Sequence, residues 1–181
     1  MIYVRIPRER IGVVIGPNGE TKRLLEERSG VPFDVDSEEN EVQIHDGEGV
    51  DPLMVLKMQD IAKAIGRGFS PERAMRLFSD NAFLELLDIH DYVGKHKNHI
   101  HRVKGRVIGA EGKTRRILED QTGCDVAVYG HTVGIIGDIG QIGDAKQAVD
   151  MILRGSEHAN VYRFLENKRR KARREAQNLW E

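Results

Sequence analysis

Arg10-Ile11-Gly12-Val13-Val14-Ile15-Gly16-Pro17-Asn18-Gly19-Glu20-Thr21-Lys22-Arg23-Leu24-Leu25-Glu26-Glu27-Arg28-Ser29-Gly30 has a second copy further along the chain. That copy reads Lys104-Gly105-Arg106-Val107-Ile108-Gly109-Ala110-Glu111-Gly112-Lys113-Thr114-Arg115-Arg116-Ile117-Leu118-Glu119-Asp120-Gln121-Thr122-Gly123. Both share Ile-Gly-x-x-Gly-x-Thr-Lys/Arg-Arg-Leu/Ile-Leu-Glu, then a third glycine, with Gly16 and Gly109 in equivalent positions. A match at so many positions marks one supersecondary unit present twice.

The flanks repeat as well. β-Branched or apolar runs over 2–6 and 83–89 read as strands before each copy. Alternating segments over 31–36 and 124–129, then 41–45 and 132–136, read as two further strands each. Each unit closes with an amphipathic helix. Ala145, Ala148, Val149 and Ile152 form its buried stripe in the second copy, and Leu53, Leu56, Ile61 and Ala64 in the first. The expected order is strand, helix, Gly-x-x-Gly, helix, strand, strand, helix, twice. Ser70-Pro71-Glu72 resembles a capped helix start, so 70–81 reads as a linking helix between domains at 1–69 and 82–154. Residues 155–181 read as a charged terminal helix.

A sharp turn between two helices needs glycine where a side chain would clash. It also brings backbone amides and the positive end of the second helix close to any ligand, and a phosphodiester fits that environment. An isolated Gly-x-x-Gly is usually a plain helix corner. Here it recurs in the same succession of elements, which makes it specific.

On these residues both copies resemble KH domains, whose Gly-x-x-Gly loop clamps the backbone of about four nucleotides of a single strand. One strand precedes each loop and two strands and a helix follow, the eukaryotic-type (type I) order. The fold class implied is α+β, with two β-α-α-β-β-α units, each with a three-stranded antiparallel sheet, and a basic C-terminal helix. A pair of this length is similar to the archaeal member of the Krr/partner-of-Nob ribosome-assembly family. That resemblance implies action at the 3′ end of small-subunit ribosomal RNA. It also implies two protein partners: the endonuclease that trims that end, and the alpha subunit of initiation factor two. The alternatives are another KH adaptor in RNA decay or translation initiation, a single-stranded DNA-binding regulator, or a metal-dependent nuclease.

Charge separates the copies. Residues 1–90 carry 11 Lys and Arg against 17 Asp and Glu, while residues 91–181 carry 17 against 12. Between Arg28 and Lys57 the first copy has no cation, but it has Asp34, Asp36, Glu38, Glu39, Glu41, Asp46, Glu48 and Asp51. Such a wall repels a phosphate backbone. The second copy is therefore expected to be the main reader, through Lys104, Arg106, Val107, Ile108, Gly109, Ala110, Glu111, Gly112, Lys113, Arg115 and Arg116. Val126 is a further candidate for an apolar groove. Glu111 opposes a phosphate, so backbone amides must do more of the binding. Gly16, Pro17, Asn18, Gly19, Lys22 and Arg23 leave the first copy weak RNA binding, protein docking or bracing as its role. Lys168, Arg169, Arg170, Lys171, Arg173 and Arg174 are expected to contact folded ribosomal RNA.

Other features limit the function classes. His96, His99 and His101 are close in sequence, but Lys95, Lys97 and Arg102 oppose a cation there, so a hydrogen-bonding RNA face is favoured over zinc. No metal, cofactor or catalytic constellation is expected; Gly109 to Thr114 lacks the spacing of a nucleotide-binding P-loop. Cys124 is the only cysteine, which excludes an internal disulfide and fits a reducing, cytoplasmic compartment. The opening residues have no signal-peptide pattern.

Overall fold

The computed structural model describes residues 1–180. The chain divides into two compact units, Met1–Leu84 and Glu85–Glu181.

The first unit begins with β1 (Ile2–Arg5), α1 (Arg8–Ile15) and a short 3₁₀ turn over Pro17–Gly19. Then follow α2 (Glu20–Ser29), β2 (Phe33–Asp36), β3 (Glu41–Ile44) and α3 (Pro52–Gly66). Its antiparallel sheet has the order β1-β3-β2, with Val4 opposite Val42 and Phe33 opposite Ile44. These four residues are buried, because alternate positions of a strand share one face, and that face meets the helices.

The second unit repeats the plan. β4 (Ala82–Asp88) is followed by one extra turn, α5 (His90–Val93), then α6 (Lys97–Ile108) and a 3₁₀ turn over Ala110–Gly112. After these come α7 (Lys113–Thr122), β5 (Asp125–Tyr129), β6 (Thr132–Asp138), α8 (Ile139–Leu153) and α9 (His158–Asn178). The sheet order is β4-β6-β5, with Val126 opposite Ile135 and Val128 opposite Val133. Val103, Val107, Leu118, Val126, Ile135, Val149 and Ile152 form its core with Val161 and Leu165 of α9.

The repeat extends to individual hydrogen bonds. Gly30 and Gly123 end α2 and α7 in the left-handed region, their amides donating to the Glu26 and Glu119 carbonyls. Glu26 and Glu119 each accept the amide of the next strand, from Phe33 (3.1 Å) and Val126 (3.0 Å). The Ser29 and Thr122 hydroxyls donate to Leu25 and Leu118, and accept the amides of Val31 and Cys124. These buried groups fix the helix-to-strand turn identically in both units.

An arginine also pins the end of α3, and another the end of α8. Arg10 donates from Nε to the Ile65 carbonyl and from Nη2 to the Phe69 carbonyl, both at 2.8 Å. Arg106 donates to the Ile152 carbonyl (2.9 Å) and to the Ser156 carbonyl. Helix C-termini leave carbonyls without intrahelical partners, and a guanidinium satisfies two at once. The two arginines occupy different positions of the sequence repeat, so the alignment alone conceals their common role.

Two expectations need correction. Leu53 and Leu56 are not core residues: they are 51% and 57% exposed, and Val55, Met58, Ala62 and Ile65 face inward with Ile61 and Ala64. α3 is apolar around much of its circumference, so more than one stripe fits its sequence. The 70–81 stretch is a capped turn, Pro71–Ala74 (α4), continued by a 3₁₀ turn, with the Ser70 side chain accepting the Arg73 amide. It packs on α3 and belongs with the first unit. The first half of α9 packs on α7 and α8, whereas every described residue from Lys171 onward is exposed.

Arg106→Ala is expected to destabilise the second unit by about 1–3 kcal/mol, because the Ser156 carbonyl loses its donor while the Ile152 carbonyl keeps the Gly155 amide. Lys104→Ala should stay within about 0.5 kcal/mol of wild type. Urea unfolding of the two variants measures the difference.

Candidate nucleic-acid interface

Each Gly-x-x-Gly is a tight corner whose backbone conformations are nearly superimposable. Gly16 and Gly109 both have φ of 74°, Asn18 and Glu111 both 52°, and Gly19 and Gly112 73° and 74°. The first glycine of each loop cannot be replaced. A Cβ on Gly109 would stand 2.7 Å from the Thr114 amide nitrogen and closer to its hydroxyl; Gly16 meets Thr21 in the same way, at 2.8 Å. The second glycines face open space, and a Cβ added there would have no neighbour within 4 Å. Only their positive φ resists substitution.

Helices α2 and α7 start directly at these corners, with no side chain capping either N-terminus. The opening amides of the two helices, Glu20 and Lys113, donate to the Pro17 and Ala110 carbonyls, so each corner is closed by its own backbone, and the positive end of each helix dipole lies there. The Thr114 hydroxyl lies 3.0 Å from the Tyr162 hydroxyl, tying α9 to the second loop. His158 of α9 contacts the Arg106 carbonyl at 2.8 Å and stacks along Tyr162 with centroids 6.0 Å apart.

The corners differ in their electrostatics. In the first unit Lys22 lies 3.4 Å from Glu26 and 3.9 Å from Asp34, and 5.5 Å above the Phe33 ring. Its charge is largely compensated. The His45 hydrogen bond to Asp34 (2.9 Å) holds that carboxyl below the usual range, outweighing burial, with Lys22 and the His45 charge adding to it. Many acids of the expected wall are structural: Asp36 accepts the Glu38 and Glu39 amides, Asp51 caps α3, Glu41 pairs with Arg5 (3.0 Å) and Asp46 with the chain's amino group.

In the second unit the residues equivalent to Glu20, Lys22 and Asp34 are Lys113, Arg115 and Ala127. Two acids are lost and one cation gained around the corner. Lys104, Lys113 and Arg116 form no ion pair among the described residues, and the buried Nε of Arg115 has no hydrogen-bond partner. On α6, helical spacing puts Lys97, His101, Lys104 and Ile108 on one face leading to the loop, beside the core-facing Ile100, Val103 and Val107.

Several expected site residues are therefore elsewhere. Val107 and Val126 are fully buried core residues and present no surface to a ligand. Arg106 turns to the end of α8. In α9, Lys168 lies 4.0 Å from Asp144, Arg169 reaches Gln121, and Arg170 and Lys171 pair with Glu166 and Glu175; Arg173 and Arg174 form no pair among the described residues. His96 and His99 approach at 5.3 Å between ring centroids, without His101. Sequence reasoning missed the Thr114–Tyr162 and His158 links, which join residues about fifty positions apart and leave no local signal.

A family model described as a eukaryotic-type (type I) KH domain matches residues 83–170, and a KH-domain model matches residues 1–60. A KH domain-containing protein of Methanocaldococcus jannaschii is 46% identical over 177 residues, 98% of this chain and 78% of that protein. The Dim2p of Pyrococcus horikoshii, solved as an a/eIF2α–aDim2p–rRNA complex, is 46% identical with a TM-score of 0.88, covering 94% of each chain. The chain belongs to this archaeal Dim2p family of KH-domain proteins. The family extends to the pre-rRNA-processing protein PNO1 of Eremothecium gossypii, 29% identical over 67% of this chain. The chain spans less than half the length of that eukaryotic relative, 46%. No helix of the described residues is long and apolar enough to cross a membrane.

Glu111 is the one acid within the second loop, and its positive φ suits Asn or Gly better. Glu111→Asn, the residue type found at position 18, is expected to stabilise the protein by about 0.5–1 kcal/mol. It should also tighten RNA binding by removing a charge near the phosphate. Thermal unfolding and fluorescence anisotropy read the two effects separately.

Proposed function

We propose that this member of the Dim2p family binds single-stranded RNA, at the 3′ end of small-subunit ribosomal RNA, as a cytoplasmic, non-enzymatic assembly factor. The observation that carries this reading is the second loop: an uncapped helix start at a glycine corner, beside cations with no acidic partner. The backbone of Gly109, Ala110, Glu111 and Gly112 receives a phosphate. Lys104, Lys113, Arg115 and Arg116 neutralise its neighbours, and Ile108 offers an apolar surface to a base. Val107 and Arg106 support the loop from behind.

The relatives favour RNA over DNA. PNO1 is named for pre-rRNA processing, and the Pyrococcus horikoshii protein was crystallised with rRNA and a/eIF2α. The same chemistry is proposed here, with the alpha subunit of initiation factor two and the rRNA-trimming endonuclease as protein partners. The first loop, Gly16, Pro17, Asn18 and Gly19 with Lys22 and Arg23, binds RNA more weakly, because Lys22 is already paired. Arg173 and Arg174 on the exposed end of α9 add phosphate contacts at a distance from the loop.

The test is anisotropy of a labelled single-stranded oligonucleotide from the rRNA 3′ end, across a salt series. Gly112→Asp and Gly19→Asp place a carboxylate at each loop where space is open, so both should fold. Gly112→Asp is expected to weaken binding about tenfold or more and Gly19→Asp much less. Arg173→Ala/Arg174→Ala should reduce the slope of log affinity against log salt by about 0.7 per lost contact. A larger loss in Gly19→Asp than in Gly112→Asp would reverse the assignment of the two modules, and undiminished binding in both would remove the loops from the interface.

A further inference from the structure

Asp88, His90 and His131 converge at the end of β4, the start of α5 and the β5–β6 turn, and their ligating atoms all lie within 4.8 Å of one another. Asp88 Oδ1 is 2.8 Å from His131 Nδ1 and 3.6 Å from His90 Nδ1. The two imidazole rings are stacked, with centroids 4.0 Å apart and planes 12° apart. All three side chains are partly open to solvent.

The backbone beneath them is fixed. The Ile89 amide donates to the His131 carbonyl at 2.7 Å, and the His90 amide donates to Asp88 Oδ1 at 2.9 Å. The cluster is thus preorganised by two segments that are far apart in sequence. A tetrahedral zinc ion with bonds of about 2.0–2.1 Å separates adjacent ligand atoms by about 3.3 Å. The observed 2.8 and 3.6 Å lie on either side of that distance, but the rings are stacked nearly parallel, so one imidazole must rotate out of the stack before both nitrogens aim at a common ion. Two imidazoles and one carboxylate suit zinc and its first-row neighbours, whereas calcium and magnesium prefer oxygen ligands throughout.

We propose that Asp88, His90 and His131 bind one first-row transition ion of the zinc class, with water completing the shell. The ion clamps the β5–β6 turn to the β4–α5 junction, across 43 residues of sequence. Binding replaces the Asp88–His131 hydrogen bond, and the neutral ring then carries its proton on Nε2. The site has no part in catalysis. It fixes one end of the second unit's sheet, and it is separate from the 96–101 histidine run, where lysines and an arginine crowd the rings.

The test is calorimetric titration of Zn2+ into the metal-free full-length protein, with Co2+ absorption reporting ligand geometry. One equivalent is expected, with tetrahedral or five-coordinate Co2+ bands and a rise in melting temperature. His90→Ala and His131→Ala should each weaken binding about tenfold or more, and His96→Ala/His99→Ala should leave it unchanged. Asp88→Asn retains an acceptor for the His90 amide and should also bind weakly; it decides the matter if a histidine variant does not fold. Absence of saturable binding, retention of full affinity in any folded variant of the three residues, or loss of affinity in His96→Ala/His99→Ala overturns the proposal.

Discussion

The contact between the first glycine of each loop and the threonine five residues later governs both modules. The Gly16 and Gly109 backbones lie against Thr21 and Thr114 so closely that no Cβ fits between them. That contact reverses the chain in four residues and puts the N-terminus of the second helix at the corner. The helix direction then sets the glycine-ended turn into the next strand, where Glu26 and Glu119 receive the strand amides. The proposed phosphate site and a helix–strand packing angle thus share one steric cause. Asn18 and Glu111 adopt the left-handed conformation because the corner imposes it, at a cost that Asn bears more easily than Glu.

Much of this is legible in the sequence because it lies in repeated, local patterns. The glycine spacing, the Thr after each loop and the Ser/Thr-Gly at each helix end can be read without coordinates, and they specify the element order. Side-chain direction is less legible. Val107 adjoins the loop in sequence yet points into the core, since its helix turns 100° per residue and Ile108 takes the half-buried side next to it. Arg106 resembles a phosphate ligand because its charge is visible in sequence; the carbonyls it satisfies are about fifty residues away. Leu53 and Leu56 read as core because an all-round apolar helix carries no unique phase.

The charge asymmetry between the halves is real, but its meaning changes in three dimensions. Several acids of the first module cap turns, pair with Arg5 or hold the α3 start, so they are part of the scaffold. What weakens that module's claim on a phosphate is narrower: Lys22 held between Glu26 and Asp34, and Glu20 in the first turn of α2. The second module exchanges two of these acids for Lys113 and Ala127. Against these stands Glu111, an acid where the first loop has Asn18, so the two corners share a backbone and differ in the placing of a few charges.

Helix α9 starts beside the second loop, anchored there by Tyr162, and continues past its last packed residue. At 1.5 Å per residue, the eight residues from Lys171 to Asn178 extend about 12 Å beyond the body of the unit. This makes it a ruler. Arg173 and Arg174 lie at a set distance from the loop amides, so a strand held at the corner meets them only if its path follows the helix. A ligand engaging both points gains from effective concentration. One engaging a single point does not, and a folded RNA of suitable shape is therefore favoured over a free strand of the same sequence.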